Sequence, residues 1–89
     1  MRKSKTGYGI RFMTEDSSGK YPVYFERYVD AREGCCDIAI LMDGVIYAKF
    51  FGSKASATRM LNKIRRRVKE GRCACVRLVD DGEVFMKTR

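Results

Sequence analysis

The chain has 89 residues, enough for one domain with a single modest core. At 45% hydrophobic and 34% charged, with one proline and no low-complexity tract, it belongs with globular rather than disordered chains. Histidine is absent and the net charge is +8, which removes the commonest general base and every histidine-containing metal site, and points to an anionic partner.

Residues 1–6 are polar and read as a flexible basic arm carrying Arg2, Lys3 and Lys5. They resemble the start of a signal peptide, but no apolar core follows, and no apolar run approaches the ~20 residues of a membrane span. The expectation is a cytoplasmic protein with no membrane partner, formed by one domain over residues 7–89.

Gly7–Thr14 and Tyr21–Val29 are rich in aromatic and β-branched residues and flank the turn-rich loop Glu15-Asp16-Ser17-Ser18-Gly19-Lys20. They predict a first hairpin. Alternation sets Tyr8, Ile10 and Phe12 against Gly9, Arg11 and Met13, and sets Val23 and Phe25 against Tyr24, Glu26 and Tyr28. Pro22 suits an edge, where its missing donor is harmless. A homodimer could then form through the exposed edge of Tyr21–Val29.

Asp37–Met42 and Val45–Phe51 flank Asp43-Gly44, a spacer of the kind that favours a type I′ turn, so a second hairpin is expected there. Gly52 ends it. Ser53 is a natural N-cap and Gly71 a natural C′ residue for the helix between them. Within that helix Ala57, Met60, Leu61, Ile64 and Val68 recur as an apolar stripe about 100° wide. Arg72–Val79 and Glu83–Thr88 then flank Asp81-Gly82 as a third hairpin. The expected fold is α+β, in the order ββββαββ: an antiparallel sheet with the helix packed on one face, a two-layer sandwich. Ile38, Ile40, Ile46, Ala48, Phe50, Ala74, Val76 and Leu78 are expected to face the helix.

Ser53–Arg72 holds eight bases against one acid, net +7, so most of the excess charge sits on one element. The bases are Lys54, Arg59, Lys63, Arg65, Arg66, Arg67, Lys69 and Arg72. Cations in a last turn complement the helix dipole. That does not explain the like-charge pairs Arg59–Lys63, Lys63–Arg67 and Arg65–Lys69 at i, i+4, each of which costs an isolated helix about 0.2–0.5 kcal/mol. A polyanionic partner does. The expected function is a small non-enzymatic nucleic-acid-binding domain, for DNA or RNA, that contacts phosphates with Lys54, Arg59, Lys63, Arg65, Arg66, Arg67 and Lys69, supported by Arg2, Lys3 and Lys5.

Tyr8, Tyr24 and Tyr28 are candidates for base stacking on an open sheet face. Lys5–Phe12 has a likeness to the signature strand of RNA recognition motifs, but it carries an inserted Thr6, lacks the aromatic after Gly9 and begins a one-helix chain, so it does not place the protein in that family. The order hairpin, Gly-Ser junction, helix from Asp37 to Arg67 resembles AP2-type and integrase arm-binding domains, which read DNA with the sheet. The alternative expectation is a protein-interaction module, such as a phage-encoded inhibitor (anti-CRISPR-like), docking on a nucleic-acid-handling enzyme or an acidic protein surface. It rests on small size and character.

Cys35, Cys36, Cys73 and Cys75 form two close pairs, weak zinc candidates because their spacing is not the usual Cys-x2–4-Cys. They are expected to be reduced thiols. Asp80, Asp81 and Glu83 cluster, but Asp-Gly turn chemistry accounts for Asp43 and Asp81. No cofactor and no catalytic residues are expected.

Overall fold

The structure is a computed structural model and describes residues 6–30, 37–68 and 78–88. Four strands form one antiparallel sheet: β1 (Thr6–Asp16), β2 (Gly19–Val29), β3 (Ile38–Met42) and β4 (Glu83–Thr88), in the order β3-β2-β1-β4. One helix, α1 (Lys54–Arg67), packs against the sheet from one side. The α+β, two-layer expectation holds, with fewer strands among the described residues than ββββαββ requires.

The first hairpin is longer and tighter than its composition suggests. Pairing runs on through Glu15↔Lys20 and Asp16↔Gly19, so only Ser17 and Ser18 remain in the loop. Asp16 Oδ1 accepts from the Ser18 N–H at 2.8 Å and from its hydroxyl at 2.6 Å. Those bonds hold the Asp16 carboxyl below its usual range. Gly19 completes the reversal at φ +118, open to glycine at little cost.

β2 is interior, between β1 and β3, so the part of the expected Tyr21–Val29 dimer edge from Tyr24 onward is already covered by β3. Pro22 is nonetheless well placed. β3 pairs with β2 only from Tyr24 onward, so among the described residues the side of Pro22 away from β1 faces no strand.

Asp43-Gly44 does not make a hairpin. Gly44 has φ −110, outside the positive range a type I′ turn requires, and Val45–Tyr47 coil into a short 3-10 turn. The chain then wedges between β1 and β2, which part beyond Arg11↔Tyr24. The Lys49 N–H donates to the Phe25 carbonyl at 2.8 Å, and Phe51 exchanges two 2.9 Å bonds with Tyr8. Backbone groups left open by the splayed strands are thereby satisfied. Ile46, expected in the core, is 78% exposed.

The core also differs in detail on β3. A bulge between Phe25 and Arg27 shifts the register, so that Phe25 opposes Leu41 and Tyr28 opposes Ala39. Ala39 and Leu41 are therefore buried under the helix, while Ile38 and Ile40 turn to the other face. Ala48 is buried as expected, and Phe50 and Leu78 are half-buried; Ala74 and Val76 lie outside the described residues. The centre is Ile10, Phe12, Val23 and Phe25 from the hairpin, closed by Ala57, Leu61, Ile64 and Val68 from α1. Each fully buried aliphatic or aromatic side chain there contributes roughly 1.5–3 kcal/mol.

α1 starts where expected. The Ser53 hydroxyl accepts the Ser56 N–H at 3.1 Å. The helix ends earlier than the Gly71 signal suggests, with Val68 already extended as the C-cap. Gly71 itself is outside the described residues.

Asp81-Gly82 is likewise not a reversal. Leu78 bridges Thr14, the Val79 N–H donates to the Met13 carbonyl at 2.8 Å, and Glu83 pairs with Arg11. The chain thus keeps one direction along β1, with Asp80-Asp81-Gly82 looped out between the two contacts. Asp80 Oδ1 fixes the loop by accepting from Met13 N–H and Gly82 N–H, both at 3.0 Å. The Arg72–Val79 strand falls mostly outside the described residues, whereas β4 has the expected bounds, Glu83–Thr88.

Candidate nucleic-acid interface

At about 100° per residue, the buried stripe of α1 centres between Leu61 and Ile64. Arg59 and Arg66 then fall on the far side, Arg65 falls toward β4, and Lys63 and Arg67 fall toward the end of β2. The contacts follow these angles.

Lys63 is folded down onto the sheet. Its Nζ sits 4.3 Å from the centroid of the Tyr28 ring and 3.4 Å from Asp30 Oδ1. Tyr28 in turn donates its hydroxyl to Asp37. Desolvation first, and this hydrogen bond second, push the phenol up to about 12. The positive charge of Arg67 acts on the same phenol in the opposite sense.

Arg65 is tied to the loop before β4. Its guanidinium donates to the carbonyls of Asp81 at 3.0 Å and Gly82 at 2.8 Å, and lies 3.6 Å from Asp81 Oδ1. This contact borders a cavity of about 490 Å³ whose apolar walls include Phe12, Ile64, Val68 and Leu78. Lys63 and Arg65 are thus held by the fold, although their residue types and spacing did not separate them from the other bases.

Four bases remain. Lys54, Arg59, Arg66 and Arg67 pair with no carboxylate among the described residues. Arg66 makes one 3.4 Å bond to the Asn62 carbonyl within its own helix. Arg59, Arg66 and Arg67 are exposed on the last three turns, and Lys54 is exposed at the first helical position. Asp30 also relieves part of the repulsion that Lys63 meets from Arg59 and Arg67. Arg2, Lys3, Lys5, Lys69 and the four cysteines, Cys35, Cys36, Cys73 and Cys75, lie outside the described residues.

The three tyrosines do not share a face. Tyr8 and Tyr28 pack against the core on the α1 side, Tyr28 because the bulge has reversed its parity. Tyr24 lies on the opposite face with Phe85, the ring centroids 5.6 Å apart in an edge-on arrangement. Phe85 covers Gly9, where a Cβ would come within 2.7 Å of the ring. Arg11 lies 5.2 Å over the same ring and pairs with Glu83. The hydrogen bond to Glu83 raises the Arg11 pKa further above its already high value. The aromatic feature of this face is therefore Tyr24, Phe85 and Arg11. Phe85 was missed; its signal was the alternation of Glu83, Phe85 and Lys87 opposite glycines Gly9 and Gly7.

Each acid near the Asp81-Gly82 loop has a structural partner: Asp80 holds backbone N–H groups, Asp81 meets Arg65, and Glu83 meets Arg11. Among the described residues no three cysteines or carboxylates converge on a point that could hold a metal ion, and no described helix is long and apolar enough to cross a membrane. Comparison with known protein families, curated proteins and solved structures finds no match to this chain.

Proposed function

We propose that the chain is a small non-enzymatic nucleic-acid-binding domain that contacts phosphates with the solvent side of α1. Arg59 and Arg66 form the centre of that surface, with Lys54 and Arg67 at its flanks. Lys69 and the arm residues Arg2, Lys3 and Lys5 add charge from the adjoining sequence. The observation that carries the reading is the set of four helix cations with no carboxylate partner among the described residues, on an element whose other bases are tied to the fold. A solvated face would gain by mixing signs at i, i+4. Counterion release rewards unpaired cations along a helix.

The test is a binding titration with duplex and single-stranded DNA and RNA across salt concentrations. Four phosphate contacts give a slope of log K against log salt near −3.6 for duplex DNA and about −2.8 for a single strand. Substituting Arg59 and Arg66 with glutamate should abolish binding. No affinity at low salt, or affinity unchanged by that double substitution, overturns the reading.

A protein-interaction reading is supported by a different observation. The sheet face away from α1 presents Met13, Pro22, Tyr24, Ile40, Met42 and Phe85, all half-buried, with Ile38 at its edge. Such a surface fits a partner protein better than a phosphate chain. It is what an inhibitor docking on a nucleic-acid-handling enzyme, anti-CRISPR-like in character, would use. A stoichiometric protein complex disrupted by Tyr24→Ala or Phe85→Ala, without any nucleic-acid shift, would favour it.

A further inference from the structure

β4 is an edge strand whose outer backbone is unpaired among the described residues. The parity of β1 shows which groups are open. Tyr8 turns its N–H and C=O toward Phe51, on the β2 side, while Met13 turns its own toward Val79 and Asp80, on the β4 side. The odd-numbered residues of β1 therefore bond to β4, and their partners Glu83, Phe85 and Lys87 are satisfied. Val84, Met86 and Thr88 direct their backbone groups outward. Met86 is 65% exposed, and no proline, bulge or inward-pointing charge blocks this edge.

We propose that the chain dimerises by antiparallel pairing of β4 with β4 of a second copy, about a two-fold axis through Phe85. In that register Val84 meets Met86 of the second copy, and both present outward backbone groups, so each of the two such pairs exchanges two hydrogen bonds. Phe85 meets its own copy as the closer, non-hydrogen-bonded pair, ring beside ring on the face away from α1. Glu83 meets Lys87, twice. Pairing one step of two residues to either side also matches backbone parity, but it places Phe85 opposite Lys87 or Glu83 and gives up both the ring pair and the Glu83–Lys87 pairs.

The charged groups retain capacity for this. Glu83 uses one oxygen, Oε1, for Arg11. Lys87 uses one of its three donors on the Ala48 carbonyl at 3.0 Å, with its Nζ 5.8 Å from the Phe50 ring. The other sheet edge, β3, is one residue shorter and reads Ile-Ala-Ile-Leu-Met, with no charge to set a register. A two-fold axis normal to the sheet keeps like faces together, so both α1 helices project from the same side of an eight-stranded sheet.

The measurement is mass in solution by sedimentation equilibrium, without nucleic acid, so that its result stands apart from the nucleic-acid reading. The wild type should approach twice 10.3 kDa as concentration rises. Glu83→Lys alone and Lys87→Glu alone each place two like-charge pairs across the axis, and each should weaken the dimer by about tenfold or more. Mixed one to one, the two variants should associate with wild-type affinity, because every cross-strand pair is then opposite in sign. Met86→Pro removes an outward N–H without breaking a bond to β1 and should also give a monomer. Met86→Pro and Lys87→Glu leave the Arg11–Glu83 pair intact, so they report on association even where Glu83→Lys does not fold. A wild type that stays monomeric to about 1 mM overturns the proposal. So does a dimer indifferent to Met86→Pro, or one in which the charge variants fail to rescue each other.

Discussion

The bases of α1 separate into two groups that mutation should tell apart. Arg65 makes two hydrogen bonds to carbonyls of the loop before β4 and one ion-pair contact with Asp81. Charge-assisted hydrogen bonds are each worth about 1.5–3 kcal/mol when well buried. The Arg65 side chain is 38% exposed, so solvent screening brings the total for Arg65→Gln to about 1–2 kcal/mol. In a domain of this size that lowers the melting temperature by about 5–10 °C. Replacing Arg59 and Arg66 with glutamine should leave it nearly unchanged. Loss of Arg59 relieves about 0.2–0.5 kcal/mol of repulsion with Lys63, which offsets the last-turn dipole contribution of Arg66, about 0.3–1 kcal/mol. In a duplex-DNA titration the same double variant should flatten the salt slope by about 1.8, one contact for each arginine. Thermal melts and salt titrations on both variants form the assay. If the Arg59/Arg66 variant melts as low as Arg65→Gln, or keeps the wild-type slope, the division of the helix is wrong.

Gly82 (φ +92) and Gly19 (φ +118) both occupy backbone that other residues resist, so alanine at either should cost about 1–2 kcal/mol. At Gly82 the added Cβ would also come within 2.5 Å of the Phe12 ring and 2.9 Å of a Leu61 methyl, whereas at Gly19 it meets nothing. Gly82→Ala should therefore be worse by a further 1–3 kcal/mol or so in denaturant melts, and equal losses would show that the loop is not seated on the core. Leu61→Ala should cost about 2–5 kcal/mol in the same melts, with the salt slope of any folded fraction unchanged. Tyr28, pushed up from 10.0 to about 12, stays a neutral phenol in the folded chain over a range where the unfolded chain ionises it. Its contribution is fully present below pH 10 and is lost as the pH rises through 12. Denaturant melts at pH 9 and pH 11 should show that loss, diminished in Tyr28→Phe.

Features set by local pattern were legible in the sequence. The alternation of Tyr8, Ile10 and Phe12 identified β1 and its inward face, the i, i+3, i+4 recurrence of Ala57, Leu61 and Ile64 identified the helix stripe, and Ser53 marked its start. What failed depended on distant partners. Val45–Phe51 has strand composition, but the backbone groups that receive it belong to Tyr8 and Phe25, and they are open only because β1 and β2 splay apart. The bulge beside Glu26 moved Tyr28 under α1 and exchanged the inward and outward residues of β3, a one-residue shift that no local alternation records. Asp81-Gly82 carries the composition of a hairpin turn, yet both sides of it run along the same strand. On the basic helix, composition identified the element and the stripe angle separated the outward Arg59 from the sides. Capture of Lys63 required knowing that Tyr28 and Asp30 lie beneath it.

The β4 pairing and the helix surface make one joint prediction that neither makes alone. Each α1 is 14 residues long, about 21 Å, and a two-fold axis normal to the sheet sets both helices on one side. A duplex long enough to reach both would be neutralised by eight helix cations, each without a carboxylate partner among the described residues, rather than four. Its salt slope should then be near −7 and should fall to about −3.6 in Met86→Pro, whose helix is untouched. A duplex too short to reach the second helix should show the shallower slope with either protein. The shallower slope for the wild type on the long duplex, with the dimer still present by sedimentation, would mean that the two helices do not act on one nucleic acid. Equal slopes for wild type and Met86→Pro at every length, both steep, would place the additional contacts within one chain, in residues 1–5 and Lys69 rather than across the axis.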